Sequence, residues 1–149
     1  MIYYEASPED NMKYRDRFPE VNKIVKQLTK KELNWICNGT FKDSPYVIYR
    51  DVYYKDGKPV GFIDVYSFDE NDANIVLAVL SQYRGEGIAS AMVKKMERQF
   101  NKSSMKYLAW KTDVDNTDSQ KLAQKLGYKL SEKRAKTYIF RKPNPKYKE

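Results

Sequence analysis

Gln82-Tyr83-Arg84-Gly85-Glu86-Gly87-Ile88-Ala89 follows the apolar run Ile75-Val76-Leu77-Ala78-Val79-Leu80. It opens a segment whose apolar residues Ile88, Ala91, Met92, Met96 and Phe100 recur at helical spacing. Strand, glycine turn and helix point several backbone N–H groups at one spot, with the positive end of a helix dipole behind it. Glycine suits that turn because a Cβ at Gly85 or Gly87 would keep a phosphate from the amides, and because such turns often need positive φ. Arg84 adds a fixed positive charge. The pattern predicts a diphosphate-binding turn. A P-loop is excluded, since Gly-Ile-Ala stands where Gly-Lys-Ser/Thr is required. A dinucleotide fingerprint is excluded too, because Ser90 replaces the third glycine and no acid lies near Leu108-Ala109-Trp110.

Composition bounds the rest. A chain of 149 residues, 41% apolar and 32% charged, reads as one domain, 1–149, able to bury a sizeable core. There is no histidine, which removes Ser-His-Asp and Cys-His catalysis and histidine metal sites. No metal site is expected. The single cysteine, Cys37, cannot form an internal disulfide. Beside Trp35 and Ile36 in a helix pattern, it reads as a buried inert thiol. No run approaches membrane-spanning length, and Met1-Ile2-Tyr3-Tyr4-Glu5 is no charged-then-apolar leader, so a cytoplasmic protein with no membrane partner is expected.

A second signature lies downstream. In Asn116-Thr117-Asp118-Ser119-Gln120-Lys121-Leu122-Ala123-Gln124-Lys125-Leu126-Gly127-Tyr128, Thr117 and Gln120 form a capping-box pattern. Leu122 and Leu126 make an apolar stripe, and Gly127 is placed to cap the helix C-terminus. The two segments, with the strand-like Lys106–Lys111 between them, resemble motifs A and B of the GNAT superfamily of acyl-CoA-dependent N-acyltransferases. Motif A, Gln/Arg-x-x-Gly-x-Gly/Ala, fits in two frames, one starting at Gln82 and one at Arg84. The resemblance covers roughly residues 46 to 141. It implies that acetyl-CoA is a co-substrate held by Leu77, Ala78, Val79, the whole turn from Gln82 through Tyr83, Arg84, Gly85, Glu86, Gly87 and Ile88 to Ala89, and Asn116 with Ser119. Asn116 is left for the pantetheine arm if Thr117 serves as the cap; it equally well caps the helix itself.

The pattern along the chain agrees. Ile2–Ala6 alternates like a first strand, Ser7-Pro8-Glu9-Asp10 starts a helix, and another helix begins near Glu20. Thr29-x-x-Glu32 is a capping box for a further short helix stopped by Gly39. Strands are predicted over 46–54 and 59–68 around the hairpin turn Lys55-Asp56-Gly57-Lys58, then over 74–80, 128–130 and 136–140. Residues 142–149 read as a basic tail. The order β-αα-β-β-β-α-β-α-β-β is α+β. It is the order of the GNAT-like three-layer α/β/α sandwich around a mixed, mostly antiparallel sheet with a splayed strand pair.

The resemblance implies direct attack of an amine on the thioester, with the Leu77 and Val79 amides at the splay polarising the carbonyl. Two departures leave proton transfer unassigned. The motif-B position where many members carry a tyrosine is Ala123, and the position of the glutamate base in some members falls on Ala73 or Asn74. Asp64, Glu70 and Asp72 are nearby substitutes that could act through a water, and each also reads as a solvated loop or edge carboxylate. Tyr128 reads as a packed aromatic more than as a donor.

Charge is uneven. The net charge is +8, from 28 basic and 20 acidic residues. Residues 129–149 hold eight Lys/Arg against two Glu, whereas residues 61–82 hold Asp64, Asp69, Glu70 and Asp72 and no Lys or Arg. If the 64–74 region borders the acceptor pocket, that pocket attracts a cationic amine. Tyr138, Phe140 and Tyr147 interleave with the C-terminal cations, as a single-strand nucleic-acid surface would. Three readings stand: an N-acetyltransferase for a small-molecule or protein amine, a non-catalytic acyl-CoA-binding module, and an aminoacyl-tRNA or nucleic-acid-directed acetyltransferase. Both a monomer and a homodimer fit.

Overall fold

The computed structural model describes residues 14–36 and 46–148. The expected first strand, the Ser7 helix start, Cys37 and Gly39 lie outside the described residues. Helix α1 (Phe18–Val25) begins slightly ahead of the expected Glu20 because Pro19 suits a first turn, and it buries Val21, Ile24 and Val25. Helix α2 (Lys30–Trp35) opens with the anticipated capping box: the Thr29 hydroxyl accepts from the Glu32 amide, and the Glu32 carboxylate accepts from the Thr29 amide.

Strands β1 (Val47–Lys55) and β2 (Lys58–Tyr66) form a hairpin whose turn residues are both left-handed, Asp56 at φ 51° and Gly57 at φ 74°. This is the type I′ geometry that matches strand twist. Then follow β3 (Asp72–Val79), a 3₁₀ turn over Ser81–Tyr83, α3 (Ile88–Gln99), β4 (Tyr107–Asp113), α4 (Thr117–Lys125), β5 (Lys129–Lys133) and β6 (Thr137–Pro143). Among the described residues the sheet has six strands in the order β1-β2-β3-β4-β6-β5. Every neighbouring pair is antiparallel except β3 and β4.

Strand alternation sorts the side chains into two layers. A Cβ on Gly61 would lie 3.3 Å from Met92 Cε, so the odd-numbered residues of β2 face α3. Trp110, on the same face through its pairing with Ile75, donates to the Ser119 hydroxyl of α4 at 2.9 Å. The opposite face carries Arg50, whose guanidinium lies over the Phe18 ring of α1. Helices therefore cover both faces of a mixed sheet, an α+β three-layer fold. Within α3 the buried residues are Ile88, Met92, Val93 and Met96; Ala91, expected in the apolar stripe, is exposed.

The expected basic tail is a correction. Strand β6 runs through Arg141 and Lys142 to Pro143 because β4 needs an antiparallel partner along its whole length, from Asp113↔Thr137 to Tyr107↔Pro143. Beyond it, Asn144 is buried, and its amide side chain donates to the Lys102 and Met105 carbonyls at 3.0 and 2.8 Å. The Lys148 N–H donates to Ser103 at 2.9 Å, so the segment is pinned to the loop between α3 and β4. Phe140, one of the aromatics among the C-terminal cations, belongs to the core.

Candidate active site in a splayed strand pair

The site follows from where β3 and β4 stop pairing. Their parallel register runs from Asp72↔Tyr107 to Ile75↔Trp110 and no further, although β3 continues to Val79 and β4 to Asp113. Main-chain groups of alternate residues point to the same side of a strand. The Asn71 carbonyl accepts from the Tyr107 N–H at 2.9 Å, and the Val79 carbonyl accepts from Arg84 Nε at 3.0 Å, whereas the Leu80 N–H turns back to Val60 at 2.9 Å. The odd-numbered amides of β3 therefore face β4, and those of Leu77 and Val79 face the gap.

A cavity of about 680 Å³ occupies that gap. One wall is β3 from Asn74 to Val79, and the other is Trp110, Lys111 and the start of α4. At its end lies the turn into α3. Gly85 and Gly87 are left-handed there, at φ 82° and 80°, and a Cβ on either would meet nothing within 4 Å. The protein itself therefore leaves room at both glycines, and the conformation is one that other residues adopt at a cost. Gly87 is the N-cap of α3 and offers no side chain to the first-turn amides, which face a cavity lined by Ile88, Ala89 and Ser90. Open amides at a helix N-terminus suit an anion, and the Leu77 and Val79 amides facing the gap suit an extended amide-bearing arm. The glycine-lined turn and the strand gap thus fit the two polar parts of coenzyme A.

Eleven of the anticipated binding residues line this cavity: Leu77, Ala78, Val79, Tyr83, Arg84, Gly85, Gly87, Ile88, Ala89, Asn116 and Ser119. Gln82 and Glu86 do not; both are exposed, and the Glu86 carboxylate pairs with Lys55. Arg84 is half-exposed and pairs with Glu32 of α2. Asn116 is the N-cap of α4, its side-chain oxygen accepting from the Ser119 N–H at 3.3 Å. The Thr117–Gln120 capping box is therefore a correction. Thr117 is the first helical residue, and Gln120 instead donates to the Asp113 and Val114 carbonyls, both at 3.1 Å. The cap uses the oxygen of Asn116 and leaves its NH₂ for another partner.

None of the three candidate carboxylates reaches the cavity. Asp64 is fully buried under a two-pronged contact from Arg50, with Nε–Oδ1 at 2.8 Å and Nη2–Oδ2 at 2.9 Å, and it also accepts from the Tyr66 hydroxyl at 2.9 Å. Burial pushes the Asp64 carboxyl above the usual carboxylate range, against the pull of Arg50. Asp72 is clamped by Arg141, at 3.1 and 2.7 Å, and Arg141 also holds Glu132 at 2.7 Å. Glu70 is exposed in the loop between β2 and β3, where Asp69 accepts from the Asn71 and Asp72 amides. The acids of this stretch, Asp64, Asp69, Glu70 and Asp72, therefore do not line the cavity, although Tyr66, Phe68 and Asn74 from the same stretch do. Tyr128 is buried and donates to Glu97 at 3.3 Å, and Ala123 is fully buried.

Sequence reasoning missed a different group. Glu32, Trp35, Tyr66, Phe68, Asn74 and Asp118 all line the cavity. Burial tends to raise the Glu32 carboxyl, but the Thr29 amide and the Arg84 guanidinium outweigh it and hold it below its ordinary value. The only prior signal for Glu32 was its capping box, which explained it structurally. Among the described residues no cluster of three or more potential metal ligands occurs, and no helix is long and apolar enough to cross a membrane.

Comparison with known proteins agrees with this geometry. The profile described as "Acetyltransferase (GNAT) family" matches residues 9–128. No curated protein sequence matches significantly. Among solved structures, the GNAT domain of PAT from S. lividans is 12% identical with a TM-score of 0.68, covering 86% of this chain and 85% of that one. The ribosomal-protein-S18-alanine N-acetyltransferase from Escherichia coli is 14% identical with a TM-score of 0.62, covering 94% and 91%. A phosphinothricin acetyltransferase from Sinorhizobium meliloti, solved with AcCoA, is 13% identical with a TM-score of 0.64, covering 85% and 84%. At such identities these structures share the fold. With the profile spanning most of its length, the chain belongs to the acetyltransferase (GNAT) family.

Proposed function

We propose that this protein is an N-acetyltransferase that takes the acetyl group of acetyl-CoA and gives it to a primary amine in the cytoplasm. The observation that carries this reading is the continuity of one cavity from the open amides of Leu77 and Val79 to the left-handed glycine turn at the α3 N-terminus. The turn would hold the pyrophosphate with main-chain N–H groups, and Asn116 would offer its NH₂ to the pantetheine arm. Acetyl-CoA supplies a thioester carbonyl open to attack. The amine nitrogen bonds to that carbon, the C–S bond breaks, the nitrogen gives up a proton, and the thiolate leaves and is protonated.

The chain's contribution is chiefly geometric. The Leu77 or Val79 amide would polarise the carbonyl, and the walls would align the amine. Alignment of this kind is worth about 7–11 kcal/mol at best, whereas positioned proton transfer adds about 10²–10⁴-fold. An enzyme that relies on water for its protons therefore remains effective. The similar structures are named for different acceptors, a ribosomal-protein alanine and phosphinothricin, so the fold does not select the acceptor.

Buried Ala123 supports a second reading, a module that binds acyl-CoA without turnover. Calorimetry with acetyl-CoA tests the binding common to both. Release of free thiol across a panel of amines separates them, and no release with any amine leaves only the second. Absence of any heat with acetyl-CoA, in protein shown to be folded, overturns both.

A further inference from the structure

Helix α2 bridges the mouth of the splayed cleft. Glu32 and Trp35, one turn apart, reach opposite lips: Glu32 pairs with Arg84 on the turn after β3, and Trp35 Nε1 donates to Asp115 Oδ1 on the loop after β4 at 3.1 Å. Arg84 is committed twice, to Glu32 and to the Val79 carbonyl. That carbonyl belongs to the stretch of main chain an incoming pantetheine would use, and Arg84 stands beside the glycines that would receive the pyrophosphate. The arginine thus stands where both parts of the coenzyme would bind.

We infer that Glu32 is the residue that selects a cationic acceptor, and that it becomes available when the coenzyme draws Arg84 away. The inference rests on the acetyl-CoA reading proposed above. A phosphate offers a guanidinium more charge and a better-matched fork than one carboxylate oxygen does. Once Arg84 turns to the pyrophosphate, Glu32 Oε2 loses its partner, while Oε1 stays on the Thr29 amide at 2.8 Å. The Glu32 side chain is only 12% exposed, beside the apolar wall of Leu28, Trp35, Ile36 and Phe68. A carboxylate left unpaired there is unfavourable, and an ammonium restores its partner. Among the described lining residues the other carboxylate is Asp118, across the gap on α4. The remaining lining cation, Lys111, acts on Asp113. The acceptor class that follows is an amine carrying a second positive charge, one amine attacking while the other ammonium is held by Glu32.

The test uses the full chain and its E32Q variant, since glutamine keeps the capping box. Two probes of matched length are cadaverine, with a second ammonium, and hexylamine, without one. Wild-type protein should prefer cadaverine at saturating acetyl-CoA by about 10- to 100-fold in kcat/KM, the range for a hydrogen bond to a charged group. E32Q should lose that preference through KM and bind acetyl-CoA about two- to fivefold more tightly, the scale of one ion pair with a half-exposed arginine released. A capping or packing role alone moves neither quantity. Wild-type protein without the preference, or E32Q that retains it or gains no affinity for coenzyme, overturns the inference. Wild-type protein that takes up no acetyl-CoA overturns the reading beneath it.

Discussion

Arg50 and Asp64 face each other across β1 and β2 in a two-pronged ion pair, 1% and 0% exposed, with Tyr66 completing the carboxylate's partners. Removing one member of such a pair leaves the other charge buried without compensation, which costs about 3–5 kcal/mol, whereas replacing both by apolar groups is often neutral. Arg50→Met should therefore lower the unfolding free energy by about that amount, and the double variant Arg50→Met/Asp64→Leu should recover most of it. Urea denaturation of the three proteins measures this. Equal losses in the single and double variants would show that the pair is not the source.

Gly85 has room for a side chain but not the φ for one. Gly85→Glu should remain folded, losing about 1–2 kcal/mol for a left-handed non-glycine residue. Its acetyl-CoA affinity should vanish, because the new side chain fills and repels the phosphate position. Calorimetry beside a thermal melt separates the two effects. Unchanged affinity moves the coenzyme elsewhere.

Asn116 has two separable duties. Asn116→Ala should lose about 1 kcal/mol of stability through the missing cap, together with coenzyme affinity. Asn116→Asp keeps an N-cap oxygen and should hold its stability, yet still bind acetyl-CoA more weakly by about 1 kcal/mol, one hydrogen bond. If the aspartate variant binds as wild type does, the amide group takes no part.

Legibility divided along the range of the interactions. The Lys55–Lys58 hairpin turn, the left-handed glycines of the second turn and the Thr29 capping box are set by residues close in sequence, and all appear as read. Most misreadings concern partners far apart in sequence; the Thr117–Gln120 capping box is the local exception, displaced because Asn116 caps α4. The Asp64 ion pair is not legible in the sequence, because Arg50 is opposite it only through a shift in the hairpin. The turn pairs Lys55 with Lys58 and Tyr54 with Pro59, then Val60 is left over and Tyr53 meets Gly61. Without that bulge, Arg50 would lie opposite Ile63, and a one-residue slip reverses which face a side chain joins. Asp72 with Arg141, and Glu32 with Arg84, are likewise joined only by sheet order and helix placement. The half of the cavity proposed for the coenzyme was legible because it is built from backbone in a short motif. The acceptor half was not, because it is built from side chains on separate elements.

Asn144 belongs to that long-range class. It donates to two carbonyls of the loop before β4 from a buried position. Asn144→Ala leaves the Lys102 and Met105 acceptors without it and should cost about 1–3 kcal/mol. The expected signature is a lower urea midpoint at unchanged m. A midpoint equal to that of wild type would return residues 144–148 to the status of a loose tail.

The Glu32 pair carries a pH signature. Glu32 is held below its ordinary value of 4.5 in the folded protein, so the folded state favours the ionised carboxylate more than the unfolded chain does. A lowered folded value stabilises the protein fully above pH 4.5, and that stabilisation fades as pH falls through the lower folded value. E32Q cannot titrate there. The gap in melting temperature between wild type and E32Q should therefore be constant above about pH 5.5 and shrink on acidification toward pH 3. Melts across that range, at low salt where the half-exposed Arg84 is least screened, make the comparison. A gap that widens with acid would mean that the carboxylate is stabilised less in the fold than out of it, and that Arg84 does not hold it.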